Sequence, residues 1–357
     1  MAYDKLGIYP NKEIRENYLK ALEFRYPEWI PCSVAFSPAT WKKYREKLED
    51  IISRHPLIFG EYEKGKRDFD AMPPVYRAGE YYTDNWGCVW YCINEGLEGQ
   101  VVGHPLEDWS ALESYAPPDP MRNTERGERD WESINNDIEE RRKRGLIVIG
   151  DGERLFDRLY FLRGFKNLMI DITTDAPQLP KLIEMLENYE LRLITRWLEI
   201  GVDVISFHTD IGTQRGLMIN PSKFRKYIKP MFKNLFTTCR KANVHVYLSS
   251  DGQLLDIVDD LIECGVSVHD PQIRANTLEG IANRYKGKLC IDLDLDRQMF
   301  PFCTPEDIKQ QIKEAVEKLY LPEGGLMMKA EIFGNDVPLS NIEAICQAME
   351  VFCIGRK

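Results

Sequence analysis

Short apolar runs rich in β-branched residues alternate with long amphipathic segments over most of the chain, the pattern of buried strands each followed by a helix. The runs Pro31–Phe36, Glu80–Asp84, Leu146–Gly150, Asp203–His208, Val244–Leu248, Val266–His269, Lys288–Leu293 and Leu326–Ala330 predict eight strands. Ser37-Pro38, Asn220-Pro221 and Thr304-Pro305 each place a capping side chain before a proline suited to the first helical turn, which predicts three helix starts. Gly201 and Gly265 end the helical stretches 176–200 and 254–264, where a left-handed cap is needed, and each leads into an apolar strand. Eight buried runs separated by helices, with no GxGxxG or P-loop turn, predict an α/β fold closed as a (β/α)8 TIM barrel. Residues 1–357 read as a single barrel domain with an N-terminal helical extension and an excursion around 105–145, whose most polar, turn-rich part is Pro117 to Asn135.

Composition narrows the partners. The 357 residues are 43% apolar and 11% aromatic, too core-forming for a disordered chain. A net charge of −10 repels phosphate backbones and anionic lipid, so no nucleic-acid or membrane partner is expected. The first residues carry no apolar leader, and no stretch approaches the ~20 apolar residues of a membrane span, so a cytoplasmic protein is expected. Nine cysteines without a CxxC pair read as buried thiols, Cys88 and Cys92 included.

Chemistry in such barrels sits at the C-terminal strand ends. Those ends hold Asp84, then His208-Thr209-Asp210, Ser249-Ser250-Asp251, His269-Asp270, Asp292 with Asp294, and Glu331. Carboxylates gathered in a concave site raise one another's pKa or hold a metal. Asp270 and Asp296 are expected to be helix caps or solvated loop acids instead, and no arginine cluster is seen to balance the mouth. Tyr247, Ser249 and Asp251 alternate along one strand face. Trp86, Trp90 and the Gly212-Thr213-Gln214 stretch are candidates to bind an aromatic ring.

Four strings, DNWGCVW at residue 84, GVDVISFHTDIGTQRGLMINPSKFRKYIKP from Gly201, VYLSSDGQLLDIVDDLIECGV from Val246 and GGLMMKAEIFGNDVPLSNIEAI from Gly324, together resemble the uroporphyrinogen decarboxylase superfamily. Within it they resemble the corrinoid-dependent methyltransferases of anaerobic aromatic O-demethylation. The resemblance spans about Arg25 to Phe352 and implies the same barrel. It implies transfer of a methyl group from a methoxylated aromatic of the guaiacol, veratrole or vanillate type to the cobalt(I) of a corrinoid (cobalamin). No Asp-x-His-x-x-Gly run is present, so the corrinoid is expected on a separate partner protein, with Pro117 to Asn135 as part of the docking rim; a homodimer is also considered.

Two other branches are weighed. True uroporphyrinogen decarboxylases carry an arginine-rich motif after strand one, where this chain has FSPATWKKYR. Methylcobamide:thiol methyltransferases hold zinc with His-x-Cys and a further Cys, positions that fall here on Ser249, Asp251 and Glu331. Oxygen in place of sulfur suits an acid, or a hard Lewis-acid site, acting on an ether oxygen. The expected catalytic set is Asp251, Glu331, Asp210 and Ser249. The expected substrate contacts are Asp84, Trp86, Trp90, His208, Gln214, Tyr247 and His269. A possible zinc is assigned to Asp251 and Glu331 with His208 or His269.

Overall fold

The computed structural model describes residues 13–355. Its strands are β1 (Cys32–Phe36), β2 (Tyr81–Thr83), β3 (Val89–Tyr91), β4 (Gln100–Gly103), β5 (Ile149–Arg154), β6 (Val204–His208), β7 (Gly212–Thr213), β8 (Gly216–Leu217), β9 (His245–Ser249), β10 (Val268–His269), β11 (Cys290–Asp294) and β12 (Leu326–Ile332). A seven-stranded parallel sheet runs in the order β1-β12-β11-β10-β9-β6-β5, curled with helices between successive strands. This is the α/β architecture of a TIM barrel, as the alternation of strands and helices predicts.

The second predicted strand departs from that plan. Residues 81–83 pair antiparallel with β3, which pairs with β4, in a separate three-stranded sheet. An apolar run reports burial and extension; it does not report which sheet the strand joins. This small sheet and its loops span the opening between β1 and β5. Ala39 N–H, in the helix after β1, donates to Gly96 O at 3.2 Å, and Arg154 of β5 pairs with Glu98 at 2.9 Å. Gly96 has φ +77°, and a Cβ there would lie 2.4 Å from the Ala39 nitrogen, so only glycine permits the approach.

The predicted caps form. Ser37 accepts from Thr40 N–H, Asn220 from Ser222 N–H, and Thr304 closes a reciprocal capping box with Asp307. Gly201 and Gly265 both adopt the left-handed conformation at their helix ends. Pro117 to Asn135 is not wholly a loop. A bridge between Asn123 and Glu128 folds it back, and Asp130 caps a helix over Trp131–Lys143.

Inward-facing side chains divide the barrel into two layers. At the N-terminal end of the strands Ile147, Val204, Tyr247, Val268, Cys290 and Met327 form an apolar floor, closed from below by Tyr18 and Leu22 of the helix Ile14–Leu22. One step further along the same faces come Ser249, Asp270, Asp292 and Lys329. The floor excludes water beneath the polar layer, so charge above it can be solvated only through the mouth.

Candidate active site

Lys329 stands at the centre of the polar layer. It is 4% exposed, and its Nζ lies 2.5 Å from Asp270 Oδ2 and 3.2 Å from Glu331 Oε1. Asp270 also accepts from Ser249 Oγ at 2.7 Å and from Ser250 N–H at 2.9 Å. Tyr247 OH donates to Asp292 Oδ2 at 2.7 Å. Burial opposes the ammonium charge, but Asp270, Glu331, Asp294 and Asp292 outweigh it and hold Lys329 well above its ordinary pKa. It is therefore a fixed cation.

Above it, Arg297 spans the mouth. One guanidinium nitrogen donates to Glu331 Oε2 at 3.0 Å and the other to Asp251 Oδ2 at 2.7 Å. The two acids expected to hold a metal together are thus joined by an arginine. Asp251 is held by a tight turn: Gly252, at φ +91°, packs on Gly212, where a Cβ would approach the Gly212 carbonyl carbon to 2.3 Å. Its backbone N–H donates to Asp210 Oδ1 at 2.9 Å. More than half of the Asp251 side chain is open to the mouth, yet the concave wall of protein around it and the charges of Asp210 and Asp270 raise its carboxyl to about 6, against the pull of Arg297. Asp210 also rises to about 6, through burial and the neighbouring Asp157. Asp294, buried beneath Arg297, rises to about 7.

Several predicted site residues gather here: Asp210, Tyr247, Ser249, Asp251 and Glu331, with His208 exposed at the end of the adjacent β6. Others do not. His269 is fully buried and faces the outer layer, its ring stacked on Tyr285 at 5.6 Å and its Nδ1 on Leu248 O; strand alternation turns it away from the side on which Asp270 points. Asp84, Trp86 and Trp90 lie together in the core outside the mouth. Asp84 accepts from Trp90 Nε1 at 2.9 Å and pairs with Arg158 at 3.0 Å, while Trp86 Nε1 donates to Glu153. Both indoles are at most 2% exposed, so neither can stack on a ligand without repacking. Gln214 sits exposed in the turn between β7 and β8.

Four residues correct the reading of the mouth. Asp270, expected as a cap or solvated acid, is 3% exposed and central. Lys329 and Arg297 supply the cations that the strand ends alone did not suggest. Phe333, just beyond β12, lies 5.2 Å beneath the Arg297 guanidinium and puts an aromatic ring beside the mouth.

The residues assigned to zinc do not fit one as arranged. Asp251 and Glu331 both face the Arg297 guanidinium, Glu331 also faces Lys329, and His269 points elsewhere. Among the described residues no group of three His, Cys, Asp or Glu is placed to hold a metal ion.

Comparison with known proteins agrees with this architecture. Residues 94–351 match the family described as Uroporphyrinogen decarboxylase (URO-D), and the chain belongs to that family. Among solved structures, a methyltransferase from Methanosarcina mazei superposes with a TM-score of 0.58 at 18% identity, covering 98% of this chain and 94% of its own. A D-psicose 3-epimerase from Clostridium cellulolyticum H10 aligns at a TM-score of 0.41 and 12% identity over 62% of this chain and 83% of its own. No curated protein matches. Among the described residues, no helix is long and apolar enough to cross a membrane.

Proposed function

We propose that this chain is the substrate-specific methyltransferase of an O-demethylase, taking the methyl group of a small methoxylated aromatic and passing it to the cobalt(I) of a separate corrinoid protein. Membership of the URO-D family supports the reading, as does likeness in fold to a methyltransferase along nearly the whole chain. The observation that carries it is Asp251, an acid open to the mouth whose carboxyl is raised to about 6.

An aryl methyl ether needs such a group. The leaving phenolate is poor unless its oxygen is protonated as the carbon–oxygen bond breaks. The partner's corrinoid supplies the nucleophile for the methyl carbon. In this chain Asp251 gives its proton to the ether oxygen, which keeps the bonding electron pair and leaves as the phenol. Arg297 and the Asp210 contact to the Asp251 backbone fix where that proton is presented. Phe333 is the ring placed to face an aromatic substrate. The mouth's carboxylates outnumber Lys329 and Arg297, which disfavours a polycarboxylate such as uroporphyrinogen.

The test supplies reduced corrinoid carrier with guaiacol, veratrole or vanillate and follows the methylated corrinoid by its visible spectrum. Methylation that depends on Asp251 supports the proposal. No methylation with any methoxyarene, or decarboxylation of uroporphyrinogen by the same preparation, overturns it.

A further inference from the structure

We propose that Gln272 and Asn276 are positioning residues for Asp251, two buried carboxamides that grip the turn carrying this acid and set where its carboxyl stands. The role of the acid rests on the reading above, while the grip on its turn is seen in the hydrogen bonds themselves.

Five consecutive backbone N–H groups, from Ser250 to Leu254, each donate to a different residue outside the turn. Ser250 N–H reaches Asp270 Oδ1 at 2.9 Å, Asp251 N–H reaches Asp210 Oδ1 at 2.9 Å and Gly252 N–H reaches Gln272 Oε1 at 3.0 Å. Gln253 N–H reaches the Thr213 carbonyl at 2.7 Å and Leu254 N–H reaches Asn276 Oδ1 at 3.1 Å. Residues 250–254 lie outside every helix and strand, so their N–H groups must find partners elsewhere. Four of the five acceptors are side chains, contributed from the ends of β6 and β10 and from the helix Ile273–Asn276. Side chains, not a hydrogen-bonded ladder, therefore set the position of this turn.

Both carboxamides use donor and acceptor at once, which an ionised carboxylate could not do. Asn276 is 1% exposed. Its Oδ1 holds Leu254 N–H, while its Nδ2 donates to Gly252 O at 2.9 Å and to Gln272 O at 3.0 Å. Gln272, 9% exposed, accepts from Gly252 N–H and donates through Nε2 to Asp294 Oδ2 at 3.3 Å. Gly252, next in the chain to the acid, is thus held at both its N–H and its carbonyl. The same Asp294 oxygen lies 3.9 Å from Arg297 Nη2, the nitrogen that donates to Asp251 Oδ2. The Asp251 side chain and the Asp251 turn are therefore tied to one buried acid, the first through Arg297 and the second through Gln272.

Amide hydrogen exchange tests the grip and needs neither substrate nor corrinoid. In Gln272→Ala and Asn276→Ala the N–H groups of 250–254 are expected to exchange faster while those of β9 and β11 keep their protection. Exchange at 250–254 as slow as in the wild type would overturn the proposal, whatever reaction the barrel runs. Methyl transfer separates positioning from mere support. Each variant is expected to lower kcat by about 10–10²-fold, the range for a small displacement of a catalytic group. KM for guaiacol should not change, because both carboxamides are buried and offer the substrate no contact. Added to Asp251→Asn, the same substitutions should cause no further fall. An equal fall with and without the Asp251 carboxyl, or a raised KM at unchanged kcat, would overturn the proposal. If Asn276→Ala does not fold, Gln272→Ala, which leaves Asn276 on Gly252 O and Leu254 N–H, carries both measurements; failure of both to fold reduces the pair to supports of the barrel and overturns it. A wild type without methyl transfer whose variants still exchange faster at 250–254 overturns the reading above and supports the grip on the turn.

Discussion

Around Arg158, as at the barrel mouth, acids and guanidinium groups crowd together, and several predicted substrate contacts fell on each. Arg158 is fully buried and pairs with Asp84 at 3.0 Å, Glu125 at 2.8 Å and Glu153 at 3.1 Å, its guanidinium 4.9 Å from the Trp86 ring. Asp84 and Glu153 are buried with it, and these pairs tie the three-stranded sheet to the barrel. At the mouth the cations are likewise paired, but Asp251 keeps more than half of its side chain open. The same residue types serve cohesion where solvent is excluded and proton transfer where one acid remains accessible.

The largest effect is expected from breaking the sealed region. Arg158→Ala leaves Asp84 and Glu153 buried without their counter-charge, and removing one partner of a buried ion pair costs about 3–5 kcal/mol. Denaturant unfolding should show that loss, or no folded protein at all. A change below about 1 kcal/mol would mean the cluster is solvated in a way its burial denies.

At the mouth the matching change affects rate and spares stability. Asp251→Asn removes the exchangeable proton and should lower methyl transfer by about 10²–10⁴-fold with an unchanged unfolding midpoint. In the wild type the acid works while protonated, so activity should fall as pH rises through about 6. Asp210, raised to about 6 as well, shapes the same limb, so the observed midpoint belongs to both acids. Near-normal turnover in Asp251→Asn would remove that residue from the mechanism.

A third contrast lies under β5, where Glu190 is fully buried. One of its oxygens accepts from Glu153 N–H and the other has no partner. Burial and the charge of Glu153 raise its carboxyl to about 8 from an ordinary 4.5. Between those values the folded chain holds a proton that the unfolded chain has released, so stability falls as pH rises across the window. With about 1.4 kcal/mol per pKa unit, Glu190→Gln should be more stable than wild type at pH 9 by on the order of a few kcal/mol and nearly equal to it at pH 4. Urea midpoints at the two pH values check this, and equal pH dependence in both proteins would refute it.

How much of this was legible depended on whether a feature is local. Ser37, Asn220, Thr304, Gly201 and Gly265 act through neighbours a few residues away, so their caps could be placed from sequence alone. Membership of a sheet is not local, which is why residues 81–83 read as a barrel strand and carried Asp84, Trp86 and Trp90 to the wrong place. Period-two alternation is legible in the sequence too: it sets Asp270 inward and His269 outward, and it puts Lys329 on one face with Glu331. A lone lysine in the apolar run LMMKAEI, two residues before an acid, was the signal for the central cation. Arg297 had no such signal, because it lies in the loop after β11 and only the fold brings it between Asp251 and Glu331.

The smallest effect separates packing from recognition at one indole. Trp90 donates its N–H to Asp84 Oδ2 at 2.9 Å, meets Phe161 edge-on at 5.0 Å and lies beneath Arg126 at 4.8 Å. Trp90→Phe keeps an aromatic face but removes the donor. Asp84 retains Arg158 at 3.0 Å and Cys88 N–H at 2.8 Å, so its charge stays compensated and the cost should be about 1–2 kcal/mol of stability. Because the ring is 2% exposed, KM for a methoxyarene and kcat should not move. A substrate-stacking indole would respond the other way, with KM raised and stability scarcely altered; that result would transfer Trp90 from the sealed cluster to the site.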